Sequence, residues 1–142
     1  MAEAGDFDVI THGCNCFLTM GAGIAGQISK RYPAAFTADK ATKSGDRTKL
    51  GSFTAAEISR PNGTKFVVIN AYTQYQPGRN FELTALERAL SLVKAEFGGK
   101  GLRFGLPFIG AGIGGGNWEQ IKPVIECELD GEEVSIVEWD GT

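Results

Sequence analysis

The apolar positions of this chain switch between two spacings, and the switches divide it into elements. Phe7 to Thr11 (FDVIT) reads as a short strand. Ile24, Ile28 and Tyr32 then recur at i, i+4 and i+8, which predicts a helix over that span. Pro33 suits the first turn of a helix, and Ala34 to Thr42 continues helical. Ser44 to Gly51 is a polar loop. Phe53 to Ser59 and Lys65 to Ala71 alternate as strands, and Asn62-Gly63 between them marks a hairpin. After a loop from Tyr72 to Arg79, the residues Leu83, Leu86, Leu90 and Val93 fall on one face of a helix that Gly98-Gly99 ends. Leu102 to Pro107 is a strand, Trp118 to Leu129 a helix with Asn117 at its N-cap, and Val134 to Trp139 a last strand. Strands alternating with helices predict an α/β fold, a three-layer α/β/α sandwich. The hairpin makes its sheet mixed. With no linker and no repeat, residues 1–142 read as one domain.

Glycine changes this picture. Its 20 residues are clustered, at Gly21-Ala22-Gly23 and again from Gly110 to Gly116. Each cluster follows a predicted strand and opens a predicted helix. Ligands of open α/β sheets bind at the carboxyl ends of strands. Glycine lets backbone N–H groups approach a ligand closely, and a helix N-terminus adds its dipole, so such a loop suits an anion. Two of them could clamp a diphosphate; the plainer reading is a pair of tight turns. Neither is a P-loop, since no Lys-Ser/Thr follows. Gly110-x-Gly112-x-x-Gly115 fits a dinucleotide fingerprint formally, but it lies late in the chain and no acidic residue follows about 20 positions on.

Composition narrows the partners. The net charge is -3, and no basic face of the kind that binds duplex nucleic acid is evident. The small cluster Lys40, Lys43, Arg47 and Lys49 is either a solvated loop or a steering patch for anions. No apolar run approaches the ~20 residues of a membrane span, and no secretory signal is visible, so a cytoplasmic protein with reduced thiols is expected. Cys14, Cys16 and Cys127 are expected to be buried and inert; a nucleophilic role for Cys14 is the alternative. His12 is the only histidine, and no second Cys pair completes a zinc shell, so no metal or other cofactor is predicted. His12 itself is either a satisfied structural residue or a proton carrier, its ordinary pKa being near 6.5.

Two stretches bring a family into view. His12-Gly13-Cys14-Asn15-Cys16-Phe17, followed by Met20-Gly21-Ala22-Gly23-Ile24-Ala25, resembles the first ligand loop of macrodomains. Leu106-Pro107, Ile109-Gly110-Ala111-Gly112-Ile113 and Trp118 resemble the second, with Asn70-Ala71-Tyr72-Thr73-Gln74 between them. The His-Gly-Cys-Asn start is most similar to the branch that hydrolyses ADP-ribose 1″-phosphate. The resemblance implies that Asn15 bonds the distal ribose and that Gly21, Ala22, Gly23 and Ile24 line one side of the diphosphate. Pro107, Ile109, Gly110, Ala111, Gly112, Ile113 and Gly114 would line the other. It puts His12 at the distal ribose, where it and Asn15 would act on a 1″-phosphate, and makes Trp139 an aromatic wall for adenine. Gln74, Tyr75 and Asn117 join the candidate ligand set, although Gln74 and Tyr75 could equally be surface and Asn117 is first an N-cap.

The chain departs from the family pattern twice. Macrodomains usually open with a strand ending in a Gly-Asp-Ile-like motif whose Asp reads adenine. Only six residues precede Phe7, and Gly5-Asp6 stands too near the first loop to be that element, so the usual first strand is expected to be missing. The sheet edge thereby exposed would be open to pairing with a second copy. Asn117 also stands where relatives often carry Asp. The function these features imply is binding of ADP-ribose or ADP-ribose 1″-phosphate, with hydrolysis of the latter to ADP-ribose and phosphate. The alternatives are a reader of ADP-ribose without chemistry, or a hydrolase that removes ADP-ribose from proteins or nucleic acids.

Overall fold

The computed structural model describes residues 7–21, 23–111 and 114–137. Its centre is β1 (Val9–Cys14), flanked in parallel by β3 (Lys65–Tyr72) and β4 (Arg103–Leu106). β2 (Phe53–Ser59) runs antiparallel to β3, and β5 (Glu133–Ile136) parallel to β4, giving the order β2-β3-β1-β4-β5. The predicted hairpin is the β2–β3 pair, and it is what makes the sheet mixed.

Alternation along the central strands sends successive side chains into two cores. Ile10 and Val68 pack under α1 (Gly23–Arg31) and α2 (Pro33–Lys40), together with Ile28, Tyr32 and Phe66. Their neighbours Val9 and Ile69 face the other way. They meet Leu86 and Leu90 of α3 (Leu83–Phe97) and Ile121 and Ile125 of α4 (Trp118–Glu128). The three layers of the predicted sandwich follow. Among the described residues, no helix is long and apolar enough to cross a membrane.

Several boundaries moved. β1 begins two residues later than predicted and runs on to Cys14, because Thr11 to Cys14 pair in register with Ile69 to Tyr72. Composition hid this, since Gly13 has little strand preference of its own. The polar stretch 44–51 contains a short 3₁₀ turn, Arg47–Lys49, whose Asp46 side chain accepts from Thr48 N at 2.9 Å. Asn117 caps α4 as expected, its Oδ1 accepting from Glu119 N at 2.9 Å.

Candidate functional site

The carboxyl ends of β1, β3 and β4 open into a cleft of about 540 Å³, within the range of small-molecule sites. Its floor includes Gly13, Cys14 and Thr73. A side chain at position 13 could not be accommodated: its Cβ would lie 2.8 Å from Thr73 Oγ1.

The first glycine loop and the start of α1 form one wall, with Gly21, Gly23 and Ile24 facing the cleft. No acidic residue occupies the first turn of α1, so the positive end of that helix is not neutralised from within. Asn15 lines the same wall, but its polar atoms also build the loop. Its Oδ1 accepts from Phe17 N at 2.8 Å, and its Nδ2 donates to Thr19 Oγ1 at 2.7 Å. Cys16 N donates to Tyr75 O at 2.9 Å, and Gly45 N to Cys16 O at 2.7 Å, which ties the turn towards the β3 side of the sheet.

The second glycine loop supplies Pro107, Ile109, Gly110 and Gly114 to the opposite wall. Gly110 has φ +78°, and an added Cβ would sit 2.4 Å from the Phe81 ring. Only glycine meets both demands. The loop is closed by Gly116 N donating to Gly110 O at 2.7 Å and Phe81 N to Gly114 O at 3.1 Å. Its glycines therefore serve packing against Phe81 as well as the cleft. Gln74 completes this side, its Nε2 donating to Gln76 O and Gly78 O, each at 2.8 Å.

The expected site residues divide accordingly. Asn15, Gly21, Gly23, Ile24, Gln74, Pro107, Ile109, Gly110 and Gly114 meet at the cleft. Ala22, Gly112, Ile113 and Trp139 lie outside the described residues. Four others do not reach the wall. Tyr75 donates its hydroxyl to Gly45 O at 2.8 Å and packs between Phe17 and Arg47, bracing the loop from behind. Ala111 packs into the α3/α4 core. Asn117 is occupied as a helix cap, so α4 does not present its N-terminus at the cleft in the way α1 does.

His12 is the main correction. Its side chain is wholly buried beneath Cys14, in the layer between the sheet and α2, and it contributes nothing to the cleft wall. Its position two residues before the strand end sets it that much deeper. Nε2 lies 2.6 Å from Asn70 Oδ1. Burial without a charged partner lowers its pKa to about 4, despite the opposing hydrogen bond to Asn70, so the ring is neutral at physiological pH. Cys14 is the one titratable side chain among the described wall residues, and burial pushes its thiol well above the ordinary range. Cys127, expected to be buried, is exposed.

Sequence reasoning missed Thr19, Gln27, Thr73 and Phe108, all at the wall. Gln27 was legible in principle, because it follows Gly23 by four positions on one helix face. Phe108 is half-exposed at the mouth, where a lone aromatic in a glycine-rich loop was the available signal.

A sequence model of the Macro domain matches residues 11–125. The chain belongs to the Macro domain family. This macrodomain is 46% identical over 136 residues to an uncharacterised 17.5 kDa protein from the tk-vs intergenic region of Enterobacteria phage T4, covering 92% of this chain and 86% of that protein. It is 30% identical over 119 residues to a DNA ADP-ribosyl glycohydrolase of Mycobacterium tuberculosis, covering 82% of this chain but 33% of that protein. Among solved structures, the macrodomain of Mycobacterium tuberculosis DarG superposes with a TM-score of 0.74 at 27% identity, over 95% of this chain and 91% of that one.

Proposed function

We propose that the cleft binds the ADP-ribose moiety, with its diphosphate between the two glycine loops, and that the protein releases ADP-ribose from a substituent at the 1″ position. The observation that carries the binding half is the convergence of two glycine loops on one cleft, with the unneutralised N-terminus of α1 behind the first. The hydrolytic half is supported by the similarity to a DNA ADP-ribosyl glycohydrolase. The substituent is phosphate in ADP-ribose 1″-phosphate, or a nucleic acid by analogy with that relative.

The wall itself favours positioning over acid–base chemistry. Its described side chains offer no His, carboxylate or amine, and the Cys14 thiol is held protonated. What the described residues can supply to turnover is therefore orientation and backbone N–H groups, with water activated by the substrate. The same observation supports a second reading, a reader of ADP-ribose without chemistry.

The test has three measurements on one preparation: calorimetric binding of ADP-ribose, phosphate release from ADP-ribose 1″-phosphate, and ADP-ribose release from an ADP-ribosylated oligonucleotide. Binding with either release supports the proposal and names the substituent. Binding with neither establishes the reader. No binding removes both.

A further inference from the structure

Charge is divided between the two helical layers of this protein. From Gly23 to Leu50, the stretch that holds α1, α2 and the loop after them, six Lys and Arg stand against two Asp. From Glu82 to Glu133, the stretch that holds α3 and α4, nine Asp and Glu stand against five Lys and Arg. A net charge of -3 therefore conceals a positive layer.

The free cations of that layer gather beside the cleft. Lys49 is buried and donates to Thr42 Oγ1 at 2.8 Å, and the Asp46 carboxylate is engaged by Thr48 N and Oγ1. Lys40, Lys43 and Arg47 are exposed, and among the described residues none of the three has a carboxylate partner. Two of them lie over rings. Lys40 Nζ is 4.8 Å from the Phe36 centroid, and Arg47 Cζ is 4.1 Å from that of Tyr75. The Tyr75 ring in turn meets Phe17 edge-on at 4.9 Å. The loop is fastened to the Cys16–Phe17 turn, Gly45 N donating to Cys16 O and Ser44 Oγ to Phe17 O. Next along the chain, Leu18 has φ 60°, the only positive φ outside glycine among the described residues. That strained corner carries the chain from the patch to Thr19 at the cleft wall, and Asn15 lies at the wall on the other side of the turn. An anionic chain that leaves the cleft by this edge therefore meets the patch.

We infer that Lys40, Lys43 and Arg47 form a docking surface for a single-stranded polynucleotide that carries ADP-ribose, the cations binding its phosphates while ADP-ribose occupies the cleft. Cations interleaved with aromatic rings are the arrangement that single strands use. Arg47, exposed and seated over Tyr75, suits stacking on a base as well as pairing with phosphate. A duplex would hold the modified nucleotide in its stack, whereas a single strand leaves it free to reach the cleft. An acidic peptide supplies the charge without the bases. The inference deepens the reading of the cleft as an ADP-ribose site and rests on it.

The probe is a fluorescent single-stranded oligonucleotide without ADP-ribose, followed by anisotropy over a range of salt, with calorimetric binding of ADP-ribose alongside. The logarithm of the binding constant should fall against that of salt with a slope of about -2, as three phosphate contacts require. The double variant Lys40→Gln, Lys43→Gln should flatten the slope to about -0.7 and weaken binding about tenfold at low salt, with ADP-ribose affinity within about twofold of the parent. Arg47→Lys should keep the slope yet lose affinity, because the charge stays and the stacking goes. Thermal melting establishes that each variant is folded. A Glu-rich peptide of equal charge, and the same oligonucleotide annealed to its complement, should bind more weakly. No oligonucleotide binding by the parent, binding that ignores the lysine variants, or equal binding of the peptide or the duplex overturns the inference and leaves the ADP-ribose cleft intact. Oligonucleotide binding without any ADP-ribose binding removes the reading of the cleft instead, and with it the ADP-ribosylated substrate.

Discussion

The imidazole of His12 donates to the side-chain carbonyl of Asn70, Nε2 to Oδ1 at 2.6 Å, and the direction of that bond is fixed from the Asn70 side. Asn70 Nδ2 donates to Ala35 O at 2.9 Å, an atom that can only accept. Oδ1 is therefore turned to His12 and must receive the proton, which places the hydrogen on Nε2 and leaves Nδ1 an acceptor. Asn70 Nδ2 also reaches Thr54 Oγ1 at 3.1 Å, which contacts Tyr72 OH at 3.0 Å, and Tyr72 donates to Asp39 Oδ1 at 2.7 Å. His12 thus begins a buried chain of bonds that fastens α2 to the sheet.

That placement predicts a stability effect of pH. The folded pKa of His12 is lowered to about 4, below the ordinary 6.5, so between those values the unfolded chain takes up a proton that the folded chain refuses. Stability is full above about pH 6.5 and falls as pH drops towards 4, by on the order of 3 kcal/mol for the whole span. Asp8 and Glu132, whose pKa values are lowered by bonds to Arg103 and Lys94, add their losses only at lower pH. Urea unfolding at pH 7 and pH 5 measures the slope. It should flatten in His12→Gln, a variant whose own cost is a lower stability at pH 7. ADP-ribose affinity at fixed ionic strength should show no step near pH 6.5.

The two glycine loops should answer differently to substitution. A Cβ at Gly21 meets nothing within 4 Å, and the residue is exposed at the cleft. Gly21→Glu should therefore melt close to the parent yet lose at least about tenfold in ADP-ribose affinity, since it sets a carboxylate against the diphosphate. Gly110→Ala should show the reverse order of damage. Its Cβ collides with Phe81, and its positive φ is strained for alanine. A loss of about 1–3 kcal/mol in chemical denaturation is expected before any change in ligand affinity is read.

Asn117 serves the helix. Asn117→Ala should cost about 1 kcal/mol of stability through loss of the bond to Glu119 N, with ADP-ribose affinity unchanged. Asn117→Asp keeps the cap and should be stable. It should also leave phosphate release from ADP-ribose 1″-phosphate unaltered, because the side chain points to the helix and not to the cleft wall. A rate increase in that variant would show that position 117 does reach the reacting water.

Thiol reactivity should separate the three cysteines. Cys127 is exposed, whereas Cys14 and Cys16 are buried and burial raises both thiols. A disulfide reagent near neutral pH should modify one thiol per chain quickly and the other two only on unfolding. Cys127→Ser should remove the fast phase, and fast labelling of Cys14 would reopen a nucleophilic role for it.

Local spacing alone settled much of this protein. The 3.6-residue recurrence of Leu83, Leu86, Leu90 and Val93, the Asn-Gly hairpin and the Asn117 cap depend on neighbours a few positions away, so the chain declares them directly. The two glycine clusters likewise declared where a ligand could approach the backbone. Sequence could not settle which side of a strand a residue faces at depth. His12 and Cys14 are two positions apart on the same face, yet only Cys14 reaches the cleft, because Ala35 of α2 and Asn70 close over His12 from 23 and 58 residues further along. Phe81 likewise decided what the second glycine loop can tolerate, and the facing of α1 left Gln27 with an acceptor and no donor. Those outcomes come from contacts between segments distant in sequence, which form only when the sheet assembles and which no periodicity encodes.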